Sequence, residues 1–296
     1  MIKKAFLGFG VLVAVFGLLM LPQSSRAQSN APEVLVLTVD GPVAPPMAEY
    51  IDRGLATAKQ RNADIVLLEL NTPGGSVTSM NRIVQSIRGS TIPVVVYVAP
   101  RGSMAASAGT LITLAGHASA MAPETAIGAA SPIGLQGEDL QTTEAQKEKE
   151  FLKATARSLA SGRPQQAITL AEDTIDNARA VSSAEALQVG LIDFIASDTT
   201  DLLLQLNGFQ VTLPTGTRIL NTAGAVQVPL PSTMVEQVLA LLTNPNIVFL
   251  LLTLGIQAIL IELSSPGGWV AGFVGVVSVA LAVYGLGILP VNWFGM

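Results

Sequence analysis

The 296-residue chain has no cysteine. That excludes a thiol nucleophile, a disulfide framework and thiolate metal sites. It has one histidine, His117. A zinc centre built on several imidazoles is thereby excluded, and a Ser-His-Asp triad needs His117 as its base. Charge is scarce. Asp, Glu, Lys and Arg make up 12% of the residues and the formal net charge is −5, so no basic footprint for nucleic acid exists. Gly-Lys occurs nowhere, which removes the phosphate loop of an ATP site, and no cofactor or metal is expected. What the chain has in excess is apolar residues, 50% of the total. That is too many for an ordinary soluble protein and points to membrane segments beside one globular domain.

Residues 1–27 read as a secretory signal. Lys3 and Lys4 precede an apolar core from Ala5 to Leu21, and Ser25 and Ala27 place small residues around Arg26. An uncleaved N-terminal anchor is the alternative, and either way the rest is expected to be exported, periplasmic or extracytoplasmic. Residues 31–206 alternate strand-like and helix-like runs. Val34–Val39, Ile65–Leu70, Val94–Ala99 and Ala118–Ala122 read as strands. Met47–Lys59, Ser76–Arg88 and Ser103–Leu114 read as helices between them. Apolar strands linked by helices predict an α/β fold with a parallel sheet and crossover helices.

Ser131–Gln141 is polar and predicts a mobile loop. A helix is expected over Thr143–Ala160, opened by a Thr143/Gln146 capping box. A Ser182/Glu185 box opens a second helix that Gly190 ends, and Leu191–Ile195 returns as a strand. Residues 207–243 are expected to be a linker or small hairpin followed by an amphipathic segment. Residues 244–296 form a transmembrane region of about two helices, Ile247–Leu263 and Trp269–Leu289, with Trp269 and Trp293 as aromatic anchors. No Lys or Arg follows Arg218, so charge does not orient this hairpin.

Two segments are placed for chemistry. Pro100–Thr110 joins a buried strand to an apolar helix through small residues, and that arrangement presents the Ser107 hydroxyl at a helix N-terminus. Close packing of the helix on the sheet explains the same residues, so the segment alone leaves the nucleophile open. Asn71-Thr72-Pro73-Gly74-Gly75 follows the second strand. Its adjacent glycines let backbone N–H groups face an anion or an oxyanion, although a plain Pro-Gly turn also fits.

Taken in order, Thr72-Pro73-Gly74-Gly75, Ala105-Ala106-Ser107-Ala108-Gly109-Thr110 and Ile127-Gly128-Ala129-Ala130-Ser131-Pro132 resemble the NfeD family of membrane-bound ClpP-class serine proteases. The likeness spans about residues 33–200, and the membrane region after it also fits. It implies a ClpP/crotonase-like fold, with Ser107 as nucleophile and an oxyanion hole from Gly74 or Gly75 together with Ala108. It implies a substrate strand added beside Ser76 and Val77. It also implies hydrophobic stretches of membrane proteins as substrates, stomatin-type proteins as targets or partners, and a homodimer. Longer members carry further spans and a β-barrel, so a truncated or minimal member is expected.

A serine needs a base. The segment 128–132 holds no His, and His117 lies roughly 15 Å further along the helix expected to carry Ser107. The resemblance implies a Ser/Lys dyad whose lysine comes from the helix after the mobile loop, where Lys147 and Lys149 stand. Lys149, Lys153 and Arg157 make a solvated stripe at i, i+4 and i+8. Lys147 aligns with Phe151, Ala154 and Ser158 and borders the apolar face. A lysine base must be brought from ~10.4 to about 7–8, roughly 4 kcal/mol of desolvation, which only an inward-turned lysine meets. Lys147 also takes the family position counted back from Arg157-Ser158-Leu159-Ala160, and it is the expected base. A solvated charged helix remains the plain alternative for this run.

Asn71, Ser76 and the order Arg101-Gly102-Ser103-Met104 depart from the usual pattern. The expected function is therefore a membrane-anchored serine endopeptidase. The alternatives are an inactive ClpP-fold scaffold that binds stomatin-type partners and a crotonase-like acyl-CoA enzyme.

Overall fold

The computed structural model describes residues 31–132, 143–264 and 268–288. The signal expected at 1–27, most of the expected loop and the anchor Trp293 lie outside the described residues.

Six strands form one parallel sheet in the order β11-β1-β2-β3-β5-β8. They are β1 (Glu33–Asp40), β2 (Ile65–Asn71), β3 (Val94–Val98), β5 (Ala118–Met121), β8 (Phe194–Ile195) and β11 (Val226–Pro229). Helices α1 (Pro45–Arg61) and α2 (Val77–Arg88) link β1 to β2 and β2 to β3, and α3 (Ala108–Ala115) precedes β5. The strands are apolar throughout because both faces are covered. Leu35, Leu37, Val66, Leu68, Leu70, Val96 and Val98 enter one core. Their alternates Val34, Val36, Ile65, Leu67, Val95 and Tyr97 enter a second. A strand's two-residue period divides one continuous apolar run between the two layers. Each fully buried Leu, Ile or Val contributes about 1.5–3 kcal/mol.

The expected strands and helices of this core are present, with three corrections. First, Ser103–Leu114 is not one helix. Met104–Ala106 is a strand, β4, and α3 starts at Ala108. Thr72 takes this backbone: its N–H donates to the Met104 carbonyl at 2.8 Å and its carbonyl accepts from Ala106 at 3.0 Å. β4 runs parallel to β6 (Ala126–Gly128), which pairs antiparallel with β7 (Ala180–Ser182). Second, of Leu191–Ile195 only Phe194 and Ile195 pair with the sheet. Arg163 clamps Asp193 through two contacts at 3.0 and 3.1 Å and also donates to Ser119 Oγ. Third, the 207–243 segment carries more than a hairpin. β9 (Gln210–Leu213) and β10 (Gly216–Ile219) form the hairpin, and β11 then joins the main sheet beside β1.

Helices α4 (Thr143–Leu159), α5 (Gln165–Asp176), α6 (Ser183–Val189) and α7 (Thr199–Leu206) complete the globular part. The Ser182/Glu185 capping box is formed and Gly190 ends α6 in the left-handed region. After α8 (Met234–Leu241), two apolar helices follow, α9 (Pro245–Ser264) and α10 (Val270–Ile288). Both are long enough to cross a bilayer.

Candidate active site

The site lies where the ends of β2 and β4 meet the start of α3. Ser107 is the last residue before α3 and has φ 54° and ψ −119°. A non-glycine residue there is strained by about 1–3 kcal/mol. The surroundings hold it: Ser107 N–H donates to the Gly128 carbonyl at 2.8 Å. The Thr110 hydroxyl donates to the Ala105 carbonyl at 3.0 Å and accepts from Gly128 N–H at 3.1 Å. Gly109 is required, because a Cβ there would stand 2.6 Å from Thr72 Cγ2. In α/β-hydrolases, strained strand-to-helix turns of this kind expose a hydroxyl nucleophile.

The glycine loop touches this serine. A Cβ on Gly74 would lie 2.5 Å from Ser107 Cβ and 3.0 Å from its Oγ. The two glycines are not equivalent. Gly74 N–H donates to Thr72 Oγ1 at 3.1 Å. Gly75 is bridged to Val43: Val43 N–H donates to the Gly74 carbonyl and Ser76 N–H to the Val43 carbonyl, both at 2.8 Å. In extended backbone the polar groups of successive residues alternate in direction, so the Gly75 N–H faces away from Val43. Among the described residues, neither it nor the Ala108 N–H that opens α3 has an acceptor. Of the expected donors, then, Gly75 and Ala108 are available and Gly74 is engaged. A Cβ at Gly75 would fall 2.3 Å from the Val43 carbonyl oxygen, so only glycine fits.

A cavity of about 100 Å³ opens beside Ser107. Gly75, Met80, Leu111, Pro132 and Leu152 are among its walls, and Val77 borders it. The Ser76 hydroxyl does not line it; it caps α2 by accepting the Ser79 N–H. Asn71 donates to Asp40 at 3.0 Å and accepts the Met104 N–H at 3.1 Å. An aspartate in its place could not donate to the Asp40 carboxylate, which accounts for the amide.

α4 carries both candidate bases, and its phase differs from the expected one. The buried residues are Leu152, Ala156 and Ala160, whereas Phe151 is 59% exposed and Ala154 and Ser158 are exposed. Lys147 is exposed with them and does not border the cavity. Glu148, its neighbour, does. The basic stripe is not free in solvent either. Lys149 Nζ donates to the Asp176 carbonyl at 2.6 Å, Lys153 pairs with the Asp176 carboxylate at 2.8 Å, and Arg157 pairs with Glu172. These contacts face α5, while Leu152 and Ala156 are buried. Periodicity missed Glu148 because Phe151 drew the apparent apolar face outward by one residue.

His117 is at the far end of α3 from Ser107. Its Nδ1 accepts the Val94 N–H at 3.1 Å and its Nε2 is buried without a partner among the described residues. It stands between the end of α3 and β5, with one of its two ring nitrogens partnered among the described residues. Burial first, and Arg88 second, push its pKa down to about 4 from 6.5. The unfolded chain therefore binds the proton more tightly. The stabilisation is complete above pH ~6.5 and disappears as pH falls toward 4, a loss of at most about 3 kcal/mol. His117→Asn, which keeps an acceptor near Nδ1, is expected to flatten the fall in thermal midpoint between pH 6.5 and 4.5 measured by circular dichroism. An unchanged slope would remove His117 as its source.

Comparison with known proteins places this geometry in context. The family description "NfeD1b, N-terminal domain" matches residues 33–213, and "NfeD integral membrane domain" matches residues 246–296. The membrane-bound protease PH1510 of Pyrococcus horikoshii is 37% identical over 266 residues, 89% of this chain and 60% of that protein. The membrane protein NfeD1b of Bacillus subtilis is 29% identical over 93% of this chain and 61% of that protein. The chain thus spans about 60% of the length of the curated relatives it matches. Two solved structures are of the 1510-N membrane-bound stomatin-specific protease. A lysine-to-alanine mutant in complex with a substrate peptide has TM-score 0.65 and 33% identity, covering 71% of this chain and 97% of that one. A serine-to-alanine mutant has TM-score 0.62 and 34% identity, covering 69% and 99%. The parallel α/β sheet is that of these ClpP-like structures.

Proposed function

The chain belongs to the NfeD family, and from that premise we propose that it is a membrane-anchored serine endopeptidase working through a Ser107/Lys147 dyad. Ser107 Oγ attacks the scissile carbonyl while Lys147 takes its proton. The oxyanion is received by the Gly75 and Ala108 N–H groups. Lys147 then gives the proton to the leaving amine, and water hydrolyses the acyl-serine by the reverse exchange. The observation that carries this reading is a strained serine at a strand-to-helix turn, flanked by two N–H groups that no described residue accepts.

Solved relatives were made as serine and lysine mutants, one of them with a substrate peptide, which supports a dyad of these two residue types. Lys149 is held by Asp176, which leaves Lys147 as the exposed lysine of α4 that an incoming substrate can cover. The substrate backbone is placed along the Gly75 carbonyl, next to Ser76, with Val77 at the cavity wall. The apolar walls Met80, Leu111 and Leu152 favour an apolar substrate side chain. Hydrophobic segments of membrane proteins, including a stomatin-type protein, are the proposed substrates; the relatives' stomatin specificity supports the latter. The leader-like residues 1–27 support an extracytoplasmic globular part, and pairing of two copies is proposed from the family alone.

Full-length protein in detergent is expected to cleave a peptide with a run of Leu, Val and Ile. Replacing the run with Ser and Asn is expected to lower kcat/KM by about 10–200-fold, the range for lost apolar contacts in a pocket. Equal cleavage of both peptides would contradict the apolar specificity.

A further inference from the structure

Helix α8 has two faces with different environments. At 100° per residue, Met234, Val235, Val238 and Leu241 fall on one side, and Glu236 and Ala240 on the other. The apolar side is bare: Met234 is 75% exposed, Val235 67%, Val238 44% and Leu241 58%. The opposite side is fastened to the globular part. Arg53 on α1 makes a two-point pair with Glu236, Nε to Oε1 and Nη2 to Oε2, both at 2.7 Å. Arg53 also donates to the Pro231 carbonyl at 3.0 Å, and Tyr50 Oη donates to the Leu230 carbonyl at 2.6 Å. Glu236 further accepts the Thr233 N–H at 2.7 Å, so one carboxylate both caps α8 and ties it to α1.

Only Leu242, Thr243 and Asn244 separate α8 from the first span. Leu242 is buried, and its carbonyl oxygen would lie 3.1 Å from a Cβ on Gly285, near the end of α10. The end of α8 therefore stands level with the start of α9 and the end of α10. α9 has 20 residues, which at ~1.5 Å each is about the thickness of the hydrocarbon layer. The place where the spans begin and end is the membrane boundary, and the bare apolar face of α8 continues from it.

We propose that α8 lies in the bilayer interface, with Met234, Val235, Val238 and Leu241 set into the headgroup–acyl boundary. Its Glu236 side grips Arg53, so the globular part is held at a fixed height and orientation over the lipid. α8 has no Lys or Arg, so apolar burial and the attached spans hold it there, not attraction to anionic headgroups. This inference does not depend on the chain being a protease. It concerns where the folded body sits on the membrane, and it holds whether or not Ser107 is a nucleophile.

The absence of cysteine makes the test direct. Val235→Cys, Val238→Cys and, as the aqueous reference, Leu204→Cys on α7 (73% exposed) are each labelled with bimane in the full chain. The proteins are reconstituted in phosphatidylcholine–phosphatidylglycerol vesicles. Quenching is read with a lipid bearing a doxyl group high on its acyl chain and with iodide in the water. The labels at Val235 and Val238 are expected to be quenched by the doxyl lipid and about threefold less by iodide than the label at Leu204, as interfacial burial requires. Iodide quenching equal to that at Leu204 would overturn the proposal. Protection from both quenchers, with oxidation of Val238→Cys giving a disulfide dimer, would also overturn it and show that a second copy covers this face.

Discussion

Ser107→Ala is expected to lower kcat for an apolar peptide by about 10³-fold or more while leaving KM within a few-fold, because the hydroxyl is the atom that forms the bond. The argument rests on the conformation as much as on the residue type. At φ 54° and ψ −119° an alanine is as strained as the serine. Ser107→Ala should therefore unfold at nearly the same temperature as the wild type. Ser107→Gly removes that strain and should raise the midpoint while being equally inactive. A residue whose replacement stabilises the fold and abolishes turnover is retained for chemistry, not packing. The same variant separates the rival readings. A scaffold has no turnover to lose, and an acyl-CoA enzyme that relies on backbone amides alone would survive the loss of the hydroxyl.

The second large effect is expected at Lys147. Lys147→Ala should reduce kcat by about 10²–10⁴-fold, the usual range for losing a general base. Lys149→Ala should leave kcat within a few-fold, since Lys149 is occupied by the Asp176 carbonyl and carboxylate. Retained turnover in Lys147→Ala together with lost turnover in Lys149→Ala would reverse the assignment. Glu148, on the cavity wall, supplies a check: Glu148→Gln should alter side-chain preference without abolishing turnover.

Much of the fold can be read from the chain because its strands are buried on both faces. Val34–Val39 and Val94–Val98 are apolar at every or nearly every position, and only a doubly covered sheet needs that. The spans are legible for a similar reason: an apolar helix with 11% of its residues buried has no protein core to explain it. β4 was hidden because Met104-Ala105-Ala106 carries no β signature; Thr72, more than 30 residues earlier, pairs with it. The strand nature of Val226–Pro229 likewise depends on a partner at Glu33–Val36. α5 is missing from the expected elements although its pattern is present in the chain. Ala167, Leu170, Ala171, Thr174 and Ile175 recur at helical spacing after Pro164, and all are buried.

At the site, residue types were readable and their engagement was not. The sequence offered Gly74 or Gly75 as oxyanion donor, and Thr72 Oγ1 occupies the Gly74 amide, which leaves Gly75 as the proposed one. It offered a face for α4 through Phe151, and the helix instead buries Leu152 and Ala156, one residue on. Such choices depend on side chains brought together from distant parts of the chain, so no periodicity records them.

The central claim is that Ser107 is the attacking atom's residue, and covalent capture tests it most directly. The full-length protein is treated with an alkyl fluorophosphonate until peptide cleavage falls, then digested and mapped by mass spectrometry. The phosphonyl adduct should be found on Ser107, its extent should track the lost activity, and Ser107→Ala should take up none. Activity lost with Ser107 unmodified and the adduct on another hydroxyl would contradict the account.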